Sequence, residues 1–316
     1  MASINGTHCR MAAANFASAM NAKKADTCAF AIVVQVRSRL KTAKVGVLRH
    51  RGWQFTSSRL RRVPRVLDSD RHRARMTIPP PSDIGDVSVI LLAGGTGSRM
   101  KADRPKQFLE LAGKTVVEHS LMLFGLMPEV KQLILVLDKS YRDQFLKYRN
   151  MLDCELAFAD PGNERQDSVY NGLCAVSEGA NLVCVHDSAR PLVSEENIRD
   201  VLRDGAEYGA AVLGVPSKAT IKESADGRFV LRTIPRQRLW EIQTPQVIRP
   251  GLLLQGFEKV RRENLAVTDD VSIIEQLGEQ VKITLGEYTN IKLTTPEDMD
   301  IAEAILRERS KSGVAS

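Results

Sequence analysis

VSVILLAGGTGSRMKADRPK, residues 87–106, sets an apolar run directly before three glycines (Gly94, Gly95, Gly97) and then spaces Arg99, Arg104 and Lys106 among polar residues. The run Val87–Leu92 is what a strand covered on both faces requires. A plain turn uses one or two glycines. Three of them, followed by cations, point to backbone that must approach an anion closely, because a residue without Cβ lets N–H groups surround phosphate oxygens. The third glycine of a G-x-G-x-x-G fingerprint is absent, and no Gly-Lys-Ser/Thr closes a P-loop. Pro105 stiffens the chain before Lys106. Two cations in a loop of triphosphate size, Arg99 and Lys106, suit the charge that builds on phosphate oxygens during phosphoryl transfer.

Downstream, apolar runs alternate with helix-periodic stretches. KQLILVLD, CELAFAD, NLVCVHD and AAVLGVP read as strands; TVVEHSLMLFGLM, SYRDQFLKYRNML, RQDSVYNGLCAVSE and SEENIRDVLRDGAEYG read as helices. Ser194 opens the last of these in a near capping box. This rhythm predicts an α/β fold with a doubly wound, mostly parallel sheet, whose strand-end loops line one edge where such folds bind ligands. Residues 217–238 break the rhythm and predict a β-hairpin around Asp226-Gly227. PGLLLQGFEKVRREN resumes as helix, QVKITLGE follows as a short strand, and Thr295-Pro296 opens a C-terminal helix.

Charge divides the chain. Of its 45 Lys and Arg, sixteen lie in residues 1–84 beside four Asp and no Glu, so the net +7 comes from the N-terminus and the remainder is mildly acidic. The segment lacks the apolar stretch of a secretory signal. Its basic, Ser-containing, acid-poor composition predicts a disordered organellar transit peptide and linker over 1–84, followed by one domain over 85–312. A nucleic-acid-binding arm is the rival; only Phe16, Phe30, Trp53 and Phe55 interleave there, so no nucleic-acid partner is expected. No stretch approaches the ~20 apolar residues of a membrane span, so no membrane partner is expected either. The five cysteines show no CxxC pair and read as incidental thiols of a reducing compartment.

LLAGGTGSRM, RPKQFLELAGKTVVEHSL, DPGNERQDSVYNGL, CVHDSARP, TIPRQRLWEIQTPQ, TDDVSIIE and NIKLTTPED together resemble, in matching order over 87–309, the 2-C-methyl-D-erythritol 4-phosphate cytidylyltransferases of non-mevalonate isoprenoid biosynthesis. The resemblance implies a Rossmann-like nucleotidyltransferase sheet with a protruding β-hairpin arm. It implies transfer of CMP from CTP to methylerythritol phosphate with release of pyrophosphate, and a plastid (chloroplast stroma) location, as in plant and algal members. A ribitol 5-phosphate cytidylyltransferase would share the CTP loops. A non-catalytic nucleotide-sensing or nucleic-acid-binding protein on the same fold is the remaining alternative.

Carried onto this sequence, the resemblance makes Arg99 and Lys106 the catalytic cations. Ala93, Gly94, Gly95 and Gly97 become close-approach backbone for the nucleotide. Gly162, Asn163 and Ser168 would read the cytosine. Asp187 would bind Mg²⁺, the one cofactor implied, a hard cation that takes oxygen ligands. Ser188 and Arg190 would complete the nucleotide pocket. Thr220 and Arg236 of the arm (217–238), with Lys292, would hold methylerythritol phosphate, the arm reaching over a second subunit in a homodimer. From the residues alone, Arg165 and Asp167 read as an ion pair of their turn, Asp269 and Asp270 as helix-capping acids, and His186 as a packed neighbour.

Overall fold

The computed structural model describes residues 84–95 and 104–311. The expected leader, Gly97 and Arg99 lie outside the described residues. Val87–Leu92 forms β1, as its apolar run requires. A two-residue ribbon, β2 (Glu110–Leu111) and β3 (Lys114–Thr115), leads into helix α1 (Val116–Gly125), closed by a capping box between Thr115 and Glu118. Then come β4 (Val130–Val136), β5 (Glu155–Ala159), α2 (Arg165–Leu173) and β6 (Leu182–Asp187). Helix α3 (Glu195–Tyr208) follows, its N-terminus capped by Ser194 accepting from the Asn197 N–H and its end marked by Gly209 at φ 89°. After it come β7 (Ala210–Pro216) and the arm strands β8 (Lys222–Glu223) and β9 (Arg232–Thr233). The chain closes with β10 (Trp240–Ile248), α4 (Pro250–Glu263), α5 (Asp270–Glu275), β11 (Lys282–Leu285) and α6 (Pro296–Lys311).

Seven strands form one sheet in the order β11-β7-β10-β6-β1-β4-β5. β1 pairs parallel with both β4 and β6, β4 with β5, and β11 with β7. Alternation along β1 assigns the two faces. Val89 and Leu91 share a core with Leu121 and Phe124 of α1 and with Ile198, Val201 and Leu202 of α3. Ile90 points the other way, where a Cβ on Gly172 of α2 would lie 2.5 Å from its methyl. Helices therefore cover both faces, and α2 is joined there by α4 through an edge-on contact of Tyr170 with Phe257. The doubly wound, mostly parallel sheet is the expected one.

Two details differ from the sequence expectations. Trp240–Ile248, which no sequence pattern marks as a strand, is β10, a central element antiparallel to β6 and β7. Its Pro245 argues against a central strand, since proline cannot donate to a ladder. The register of β10 against β7 shifts between Ile242 and Gln246, and Pro245 sits in that interruption. Residues 139–150 form two 3₁₀ segments, Lys139–Tyr141 and Asp143–Asn150, instead of an α-helix. In the longer one only Phe145 and Tyr148 are buried, and a spacing of three matches the 3₁₀ repeat. Cys154 and Cys184 are free thiols.

The arm is a hairpin as expected, with a ladder only two residue pairs long. Asp226 organises its tip by accepting from the N–H groups of Arg228 and Phe229, with Gly227 at φ 71°. Phe229, Val230 and Leu231 are 77%, 62% and 64% exposed.

Candidate active site

The ends of β1 and β6 lie side by side and are tied together. Ser188 commits both its N–H and its hydroxyl to the Leu92 carbonyl, at 3.1 and 2.7 Å. Its place in the site is thus to hold the start of the glycine loop against the end of β6. Ala93 continues the ladder through its N–H to the Val136 carbonyl, and its own carbonyl accepts from Gln107 at 2.6 Å. Gly94 must be glycine for a packing reason: a Cβ there would stand 2.6 Å from the Pro161 ring. Among the described residues, a Cβ on Gly95 would meet nothing within 4 Å. The two adjacent glycines do different things, one admitting the Pro161-Gly162 turn and the other leaving open backbone.

That turn opens α2. Gly162 donates to the Ser168 hydroxyl at 2.9 Å, and a Cβ on Gly162 would collide with Asp167. Asp167 accepts from the Glu164 N–H and completes a capping box, so it does not pair with Arg165. The expected turn ion pair is therefore corrected: Arg165 reaches across to other elements. Its two terminal nitrogens fork onto Asp270 at 2.7 and 2.8 Å, and its Nε donates to Asp187 at 3.1 Å. Asn163 is exposed on the same turn.

Asp187, the last residue of β6, is 7% exposed and lies between two cations. Lys292 takes its second oxygen at 2.6 Å. Burial raises the carboxyl, but the charges of Arg165 and Lys292 outweigh it and hold Asp187 far below the usual carboxylate range. Arg190 donates to the Asn290 carbonyl at 2.7 Å, and Lys106 to the Leu293 carbonyl at 2.8 Å. Four cations thus surround one turn, against the two acids Asp187 and Asp270. Such an excess of positive charge at a strand-end crevice is suited to a polyphosphate.

Asp269 is the expected cap, accepting from the Ser272 N–H. Asp270 is not; it is 1% exposed and neutralises Arg165. His186 is fully buried as a packed residue, its ring 5.0 Å from that of Phe124, and burial pushes its pKa down to about 4. Thr220 and Arg236 stand exposed on the arm, Arg236 bonded to the Lys218 carbonyl and neither to the Asp187 group. Thr244, Asn290, Arg165 and Asp270 complete the constellation, and the sequence places none of them there. No local signal could show them, because Arg165 and Asp270 stand 105 residues apart and each looks like ordinary helix-end charge.

The donor set does not build a metal cage. Among the described residues no three His, Cys, Asp or Glu side chains gather to hold a metal ion. Both oxygens of Asp187 are already met by cations.

Residues 87–308 match the family of 2-C-methyl-D-erythritol 4-phosphate cytidylyltransferases. The chain belongs to this family. A relative from Oryza sativa subsp. japonica, named as the chloroplastic enzyme, is 54% identical over 223 residues, covering 71% of this chain and 75% of its own. The enzyme of Geobacillus thermodenitrificans is 44% identical over 222 residues, covering 70% and 96%. Among solved structures, the 4-diphosphocytidyl-2C-methyl-D-erythritol synthase of Anaerococcus prevotii is similar with a TM-score of 0.64 and 32% identity, covering 71% of this chain and 97% of that one. The Thermus thermophilus cytidylyltransferase follows at 0.59 and 32%, covering 70% and 99%. The family thus takes in all of the cation cluster and both glycine-bearing turns.

Proposed function

We propose that the cations around Asp187 are the phosphate-handling centre of the family's reaction in this chain. The chain is a cytidylyltransferase: it transfers CMP from CTP to 2-C-methyl-D-erythritol 4-phosphate, giving 4-diphosphocytidyl-2-C-methyl-D-erythritol and pyrophosphate in non-mevalonate isoprenoid biosynthesis. A phosphate oxygen of the sugar phosphate attacks the α-phosphorus. The bond to the β-phosphate breaks and pyrophosphate departs, so no protein nucleophile is needed. What carries this reading is the convergence of Arg165, Lys292, Arg190 and Lys106 on the turn at the end of β6, beside the open backbone of Gly95.

On this reading Lys106, with Arg99, stabilises charge on the triphosphate as it moves to the leaving group. Gly162, Asn163 and Ser168 present the cytosine with donors and acceptors from the α2 turn. Lys292 holds the sugar phosphate, with Thr220 and Arg236 of a partner's arm. A homodimer with exchanged arms would cover the apolar side chains that the arm now exposes, since a two-pair hairpin cannot be stable in water by itself. Mg²⁺, which the resemblance puts at Asp187, would supply further neutralisation of the triphosphate. Both Asp187 oxygens are already engaged by Arg165 and Lys292, so no step is assigned to the metal. The chloroplastic name of the Oryza sativa relative and the basic, acid-poor leader support a plastid location.

Pyrophosphate release measured with methylerythritol phosphate and with ribitol 5-phosphate tests the acceptor; faster turnover on ribitol phosphate would overturn it. Melting curves with CTP, UTP, ATP and GTP test the donor. CTP alone should raise the transition, because a ligand that binds only the folded state stabilises it by mass action.

A further inference from the structure

We propose that His186 is a positioning residue for this reaction: its two ring nitrogens tie both ends of the Asp187–Arg190 turn, one of them through Thr244. The Asp187 N–H donates to the Thr244 hydroxyl oxygen at 3.1 Å, and that hydroxyl lies 3.1 Å from His186 Nδ1. His186 Nε2 lies 3.1 Å from the Arg190 carbonyl. The proton pattern follows. With its oxygen accepting from Asp187, Thr244 has one proton left, which it donates to Nδ1. Nε2 then carries the ring hydrogen and donates to Arg190. A neutral imidazole, one acceptor and one donor, completes both bonds. The turn is closed within itself by the Arg190 N–H to the Asp187 carbonyl at 2.9 Å. Both charged side chains of the turn are thereby aimed by one ring.

The ring packs against Phe124, with centroids 5.0 Å apart, but packing alone does not call for a histidine here. His186 stands beside Leu91 on the neighbouring strand, follows the buried Val183, Cys184 and Val185, and is 0% exposed. A leucine would fill the space without desolvating two nitrogens, a cost that buried polar groups offset only through their hydrogen bonds. What the imidazole adds is the tether between the turn and β10, the strand that arrives directly from the arm. The inference rests on the roles given above to Asp187 and Arg190.

The test compares His186→Leu, His186→Asn, Thr244→Val and the double His186→Leu/Thr244→Val, with Asp187→Asn and Arg190→Ala alongside. His186→Leu should lower kcat ~10–100-fold, the usual penalty for a charged group displaced by about 1 Å. Its affinity for CTP should change by no more than about threefold, since the Gly94 and Gly162 loops hang on other bonds. His186→Asn keeps one acceptor and one donor and should regain most of the lost kcat. The double variant should be no worse than the worse single, because both cut the same tether. Normal kcat in a folded His186→Leu overturns the proposal. So does a loss in His186→Asn as deep as in His186→Leu, which would mean the site needs only the ring's volume. Should His186→Leu not fold, normal kcat in Thr244→Val overturns it equally. Normal turnover in Asp187→Asn and Arg190→Ala would sink the site reading and this inference with it. Impairment in those two alone would sink only this inference.

Discussion

Lys106 donates to the Leu293 carbonyl, one residue beyond Lys292, so the cation expected at the triphosphate and the one expected at the sugar phosphate meet on one loop. Replacing Lys106 by alanine should lower kcat by ~10²–10³, the common cost of removing a charge-stabilising donor, about 3–4 kcal/mol. The melting temperature should stay within a few degrees, and single-turnover pyrophosphate release would read the chemical step. Near-normal release would remove Lys106 from the reaction. His186 gives a second expectation at this scale. The unfolded chain protonates this ring near its ordinary 6.5, and the folded chain only near 4. The unfolded state therefore binds more protons between those values, and stability falls as pH drops through that window, by up to ~3 kcal/mol. Denaturant titrations from pH 7 to 4 should show this slope in the native chain and a shallower one in His186→Asn. Part of the site is legible residue by residue: Lys106 follows the glycine loop and Asp187 ends its strand, as the pattern requires, while Arg190 and Lys292 enter through the family resemblance. The Arg165–Asp167 pair fails because sequence nearness favours it, while Arg165 finds a better fork on Asp270 from another helix.

At the scale of elements, α3 packs on β10 at Gly205. A Cβ there would meet the Val247 side chain at 2.5 and 3.0 Å, and Val247 is fully buried. Two effects oppose each other in Gly205→Ala. Alanine gains up to ~1 kcal/mol in helix propensity, and overpacking costs ~1–3 kcal/mol. The steric effect should win, lowering the melting temperature by a few degrees. Gly251 in α4 supplies the contrast, since a Cβ there meets nothing within 4 Å among the described residues, and Gly251→Ala should be neutral or stabilising. Equal effects of the two changes, read by calorimetry, would contradict this view of the α3–β10 contact. Elements with a clear period are readable from the chain: β1, β4, β6, β7 and α3 stand where their patterns put them. β10 is not, because Pro245 and the polar Gln243, Thr244 and Gln246 hide a strand whose side chains bond to neighbouring elements. The 3₁₀ turns over 139–150 are also hidden, since two aromatic residues three apart satisfy either helix type.

For the whole molecule, the family match begins at residue 87. A chain beginning at residue 85 should therefore keep its kcat and CTP affinity, and a large loss on truncation would give the leader a part in catalysis. Assembly is tested by mixing Arg236→Ala chains with Lys106→Ala chains. If each site takes Arg236 from a partner's arm, a heterodimer carries one intact site, and exchange should restore activity that neither parent has. Absence of recovery after proven subunit exchange would mean that each chain builds its site alone.

The features that follow from residue order alone are local and periodic. Strand burial on both faces, helix caps, the arm's turn and the glycine loop each depend on residues within one or two turns of one another, where backbone sterics and hydrophobic period act directly. Which charges meet is settled only by the folded chain. Asp187 is held by Arg165 and Lys292, 22 and 105 residues away, and Asp270 stands 105 residues from the Arg165 it neutralises. Those pairings depend on the strand order, above all on β10 entering between β6 and β7. Coulomb attraction in a partly buried crevice acts through distance in space, and sequence separation does not enter it.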